Sequence, residues 1–265
     1  MLIKLAVVSL LLLRCVQNVR SNSMLTKRLI VVFALTLTAG THHAPAAESA
    51  SPAPKPFVST FLYITTNVAG WKVLVNKQLF AEQAALGRDA LQLLNSKLEE
   101  IKRTIPTNAC AKLQQVPIWL GVDDGHAPCS EYHPSRQWLK EHGFNPDKAR
   151  CVEIGNARKF IDWSGVQPSM VLHELAHAYH HQVLGYEYAP IRKAYKDAVS
   201  SGIYESVKYA SGKMRRAYAL NNEQEYFAET SEAFFGRNDF YPFTREELQK
   251  HDPLIYSVLQ DAWNR

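Results

Sequence analysis

His173, Glu174 and His177 belong to the string His-Glu-Leu-Ala-His, the part of this chain best suited to chemistry. Residues four apart share one face of a helix, so the two imidazoles converge on a single point. Two neutral imidazoles at this spacing suit Zn2+, which in a catalytic site takes one more protein ligand and keeps a position open for water. Glu174 lies beside that axis, where its carboxylate can take a proton from a water that the metal has acidified to a pKa of roughly 7. The chemistry implied is metal-assisted hydrolysis. Met170, Val171, Leu172, Leu175, Ala176 and Ala178 surround these residues, so the helix is apolar and buried. Two imidazoles and a carboxylate are costly in such a place unless something pairs with them, which argues against a solvated surface helix. Gly185 supplies a stop. His180 shares the face of His177 and reads as a wall or helix-surface residue.

The third ligand must come from another segment. Zinc peptidases that continue as H-E-x-x-H-x-x-G-x-x-H are excluded, because His180 and Val183 hold the glycine and final histidine positions. Downstream, Glu225, Glu229 and Glu232 recur at i, i+4 and i+7 and share one helical face. Three unpaired carboxylates there would repel one another, and a divalent cation nearby removes the objection. On this pattern any of the three could be the ligand. Asn222, three residues before Glu225, reads as an N-cap. Glu225 falls 48 residues after His177 (225 − 177), enough chain to cross between two helices and return to the same metal.

The string 173–177 followed by Glu225-Tyr-Phe-Ala-Glu229 resembles the gluzincin group of zinc metallopeptidases, and within it the catalytic domain of the anthrax lethal factor family. The resemblance covers roughly 165–240 and implies a zincin-like fold with one catalytic Zn2+. It assigns the metal to His173, His177 and Glu225, with Glu174 as general base. It makes Glu229 the carboxylate that orients a ligand histidine through its other ring nitrogen. The family also carries a tyrosine seven residues before the ligand glutamate, thought to hydrogen-bond the developing oxyanion. Tyr218 holds that offset here.

The elements that must position these residues read as α+β: a small N-terminal sheet with helices, then a mostly helical C-terminal half. Val58–Thr65 and Trp71–Val75 are strand-like, and Phe80–Arg103 is helical with Leu91, Leu94, Leu98 and Ile101 on one face. Val116, Ile118, Leu120 and Val122 alternate with other residues and predict a half-buried strand. Residues 151–154 predict a further short strand, and 151–155 is the candidate sheet edge for pairing with an extended peptide. His133 reads as a loop-packing residue. Near the C-terminus, Thr244-Arg-Glu-Glu247 predicts a capping box, and Asp252-Pro253 starts a last helix through Trp263.

Residues 1–46 read as a targeting segment. Lys4 precedes the apolar run Leu5–Leu13; Lys27 and Arg28 precede Leu29–Leu37, and Ala44-Pro-Ala46 fits a cleavage pattern. Met24 is a possible true start. Neither run approaches the roughly 20 residues of a spanning helix, so no stable span is expected once the segment is removed. Residues 47–57 form a Pro/Ser/Ala-rich tether, leaving 265 − 57 = 208 residues for one catalytic domain. The segment 1–46 holds Lys4, Arg14, Arg20, Lys27 and Arg28 and no acid, so the formal charge of +5 becomes 5 − 5 = 0 without it. No basic stripe remains to suggest nucleic acid. Cys110, Cys129 and Cys151 permit one disulfide, either Cys129 with Cys151 or Cys110 with Cys129, and their spacing does not suit a zinc site. The expectation is an exported metallopeptidase acting on a peptide or protein. Its alternatives are an inactive zincin-fold binding module and a hydrolase of a non-peptide amide such as a cell-wall cross-link.

Overall fold

The computed structural model describes residues 57–125 and 129–265. The targeting segment and residues 47–56 of the tether lie outside the described residues. The described chain is α+β, with one five-stranded mixed sheet and a mainly helical second half. Strands β1 (Tyr63–Val68) and β2 (Trp71–Asn76) form a hairpin whose turn places Ala69 and Gly70 at positive φ. Strand β3 (Ile118–Leu120) runs parallel to β2, β5 (Val152–Ile154) runs parallel to β3, and β4 (Ser130–Tyr132) pairs antiparallel to β5. The order across the sheet is therefore β1-β2-β3-β5-β4, with β1 and β4 at the edges.

Four expectations are corrected here, the last of them the long helix taken up below. β3 is buried on both faces, not half-buried, because it lies between two parallel neighbours. The candidate edge at 151–155 is interior, since β4 adds outside β5. Among the described residues no disulfide forms: Cys110, Cys129 and Cys151 are all free thiols. The β4–β5 register sets Cys129 opposite Gly155 while Cys151 lies opposite His133. Four residues of strand separate those two pairs, far beyond the roughly 7 Å Cα limit for a bridge.

The long helix expected from Phe80 to Arg103 is two helices, α1 (Gln78–Ala81) and α2 (Ala84–Thr104). They fold closely onto each other: a Cβ at Gly87 would fall 2.1 Å from the Leu79 carbonyl oxygen, so only glycine permits the contact. Leu86, Ala90, Leu94, Leu98 and Ile101 form the buried face of α2. Short helices α3 (Thr107–Leu113), α4 (Arg136–Glu141) and α5 (Ala157–Trp163) link the strands.

Every residue of α6 (Met170–Tyr179) is buried, as its apolar sequence predicts. It continues into a π-helical turn, His180–Leu184, which Gly185 ends at φ 78°. Helix α7 (Ala189–Ser201) and a two-stranded ribbon, β6 (Val207–Lys208) with β7 (Met214–Arg215), follow. A 3-10 turn, Tyr218–Asn221, leads into α8 (Glu223–Phe235). Asn222 caps α8, its side chain accepting the Glu225 backbone N–H at 2.8 Å. The capping box at Thr244 opens α9 (Arg245–His251), and Asp252 caps α10 (Pro253–Ala262).

Helix α6 packs against α8. The C-terminus closes behind both: the Trp263 ring stacks on Tyr179 at 4.3 Å and on Phe227 at 5.8 Å, and its indole N–H donates to Ser231 Oγ at 3.1 Å. Among the described residues, no helix is long and apolar enough to cross a membrane.

Candidate metal centre

The α6–α8 contact brings His173 and His177 onto Glu225. His173 Nε2 lies 3.0 Å from His177 Nε2 and 3.1 Å from Glu225 Oε2; His177 Nε2 lies 3.3 Å from that oxygen. All three residues are buried. Burial alone would raise the Glu225 pKa, but the His177 and His173 imidazoles outweigh it and hold the carboxyl well below its usual range.

The far edge of the His173 ring decides its tautomer. Nδ1 is 2.6 Å from Glu232 Oε1, and a carboxylate accepts, so Nδ1 carries the proton. In the neutral ring, Nε2 then presents a lone pair to a carboxylate oxygen and to a second imidazole nitrogen. With the His177 proton on its own Nδ1, all three facing atoms at 3.0–3.3 Å are lone-pair donors that a cation between them would accept. Tetrahedral zinc with ligands at about 2.0–2.1 Å sets its ligand atoms roughly 3.3 Å apart, so this donor set fits the ion.

Glu229 lies 3.7 Å from Nδ1, outside hydrogen-bond range. The orienting bond expected of Glu229 is thus made by Glu232, the third carboxylate of the i, i+4, i+7 series. Helix rotation decides between residues three apart, and sequence does not resolve it. Glu225 on one edge of the ring and Glu232 on the other let α8 hold His173 from both sides.

Glu174 is buried, and its Oε2 accepts the Tyr132 backbone N–H of β4 at 2.8 Å. Cys129 and His133 bond across to β5, so the alternation of an antiparallel pair turns the backbone groups of Ser130 and Tyr132 toward the open edge. The carboxylate beside the histidines is therefore anchored to the free rim of the sheet. Tyr132 also engages the π-turn, its hydroxyl lying 2.7 Å from His181 Nδ1 and accepting Gln182 Nε2–H at 3.0 Å.

Tyr218 is buried on the 3-10 turn that precedes α8. Tyr186 is a phenol near this site that sequence reading missed. Its ring stacks on His181 at 4.9 Å and meets His180 edge-on at 5.2 Å. Its pKa is raised by burial and then by Tyr132, Glu225 and Glu174, which places it in the field of the centre. His180 is fully buried, touches Phe227 as well, and makes no hydrogen bond to a described residue. Burial, then His177 and His181, push its pKa down to about 3, so it is a neutral wall.

A second buried group, Glu131, His133 and Glu153, sits where β4 meets β5. His133 Nε2 is 2.6 Å from Glu153 Oε2, and the Lys148 ammonium bridges Glu153 to Asp124. The lysine already supplies the positive charge, so this is an ion-paired network and not a second metal centre. His133 is buried in this network, held by Glu153.

No family model, curated protein or solved structure matches the chain.

Proposed function

We propose that this chain is an exported zinc metallopeptidase of the gluzincin type, with His173, His177 and Glu225 as metal ligands. The observation that supports the reading is the convergence of three potential ligand atoms, from two helices, at 3.0–3.3 Å with the His173 proton committed to Glu232. Zinc at that position supplies a Lewis acid for the scissile carbonyl and lowers the pKa of the attacking water. Glu174 accepts the water proton and returns it to the leaving nitrogen, and its bond to Tyr132 aims the carboxylate at the sheet edge. An extended peptide laid along β4 would pair with the outward backbone groups of Ser130 and the Tyr132 carbonyl, the Tyr132 N–H being held by Glu174, and would present its main chain beside that base. Tyr218 enters as oxyanion donor through the resemblance. The basic-then-apolar leader supports export.

The test is metal analysis combined with a peptide-cleavage screen on the purified protein. Wild type should carry about one equivalent of zinc and cleave peptides, while Glu174→Gln keeps the zinc and loses hydrolysis. A zinc-loaded wild type that cleaves no peptide would sink the reading. Product analysis on cross-linked cell-wall fragments then separates the non-peptide amide alternative from an inactive module.

A further inference from the structure

Large apolar side chains are exposed at nine described positions: Phe57, Phe61, Leu62, Ile64, Phe80, Val166, Val199, Met214 and Leu254. Five of the nine fall between 57 and 80, and the rest are scattered singly. Phe61 is 88 % exposed and Leu62 51 %, far beyond what a turn needs for packing. Phe61, Leu62, Ile64 and Phe80 lie on neighbouring backbone and form one patch. The Leu62 carbonyl accepts the Lys77 backbone N–H at 2.8 Å, the Lys77 ammonium donates to the Phe61 carbonyl at 2.7 Å, and the Phe80 N–H donates to the Lys77 carbonyl at 3.0 Å. Phe61 and Leu62 thus flank Lys77 on one side and Phe80 on the other. Ile64 continues the patch along β1, an edge strand, and Lys72 lies exposed farther along the neighbouring strand.

Apolar side chains around a lysine, at the rim of a sheet, match the chemistry of a bilayer interface: rings enter the acyl boundary while ammonium groups meet lipid phosphates. The position of the patch selects that occupant over a second protein. The chain enters it at Phe57 after 56 residues carrying two basic-then-apolar runs, Leu5–Leu13 and Leu29–Leu37. On the export reading proposed above, on which this inference rests, those runs would bring this end of the domain to a membrane during targeting.

We propose that the patch of Phe61, Leu62, Ile64 and Phe80 docks the domain reversibly on an anionic bilayer surface. The contact is peripheral and independent of the metal centre. The test expresses the full chain, purifies the form that host processing leaves, and floats it with phosphatidylglycerol-containing vesicles. The triple variant Phe61→Ser, Leu62→Ser, Phe80→Ser, with its melting temperature checked against wild type, is floated beside it. Wild type should rise with the vesicles, and the variant should partition roughly tenfold less. Equal flotation of the two, or flotation of neither, overturns the proposal. So does a wild-type dimer that the variant dissociates without any vesicle binding, because the patch then belongs to a second copy.

Discussion

Replacing Glu232 tests which carboxylate of α8 orients His173, the proposed metal ligand. Glu232 accepts the His173 Nδ1 proton at 2.6 Å in a site only 1 % exposed, where a charge-assisted bond is worth about 1.5–3 kcal/mol. Glu232→Gln leaves an amide oxygen able to accept but removes the charge, dropping the bond to about 1 kcal/mol. The loss of roughly 0.5–2 kcal/mol weakens zinc affinity by about tenfold. Glu232→Ala strands the buried N–H and frees the ring, and its cost should approach the hundredfold end of such effects, about 100-fold. Glu229, at 3.7 Å, makes no hydrogen bond to Nδ1, so Glu229→Gln should cost less than Glu232→Gln. Competition against a chromogenic zinc chelator at fixed pH and ionic strength reads all three variants, with apo melting curves as folding controls. The reasoning fails if Glu229→Gln proves the more damaging change, or if Glu232→Ala stays within about twofold of wild type.

The Glu131 carboxyl, buried beside Glu153, has its pKa raised by burial to about 7 despite the opposing His133 imidazole. A raised carboxyl favours folding below its unfolded value of 4.5, and that contribution is lost as pH rises through about 7. Glu131→Gln should therefore gain on wild type by on the order of 3 kcal/mol between pH 4.5 and 8, read by urea denaturation at both ends; a pH-independent difference refutes this. Trp263→Ala should cost about 3–5 kcal/mol, because the indole clamps Tyr179 of α6 and Phe227 of α8 together. Its zinc affinity should fall as well, and a loss of stability below about 1 kcal/mol would show that the C-terminus does not brace the ligand helices.

Much of the candidate site was legible in the residues. A helix has a fixed 3.6-residue period, so His173 and His177 had to share a face, and so did Glu225, Glu229 and Glu232. The Asn222 cap and the Thr244 capping box were legible for the same reason, since each is a contact over three residues. Contacts made across the fold were not. Strand β4 has three residues and no useful alternation, so nothing local marked it as the sheet edge or its Tyr132 N–H as the anchor of Glu174. Pairing order is settled by long-range packing, which also turned β5 from an edge into an interior strand and kept Cys129 away from Cys151. The rotation of α8 against α6, set by side chains packed from several elements, chose Glu232 over Glu229. Periodicity within one element settles which residues can act together; the angle at which two elements meet settles which of them do.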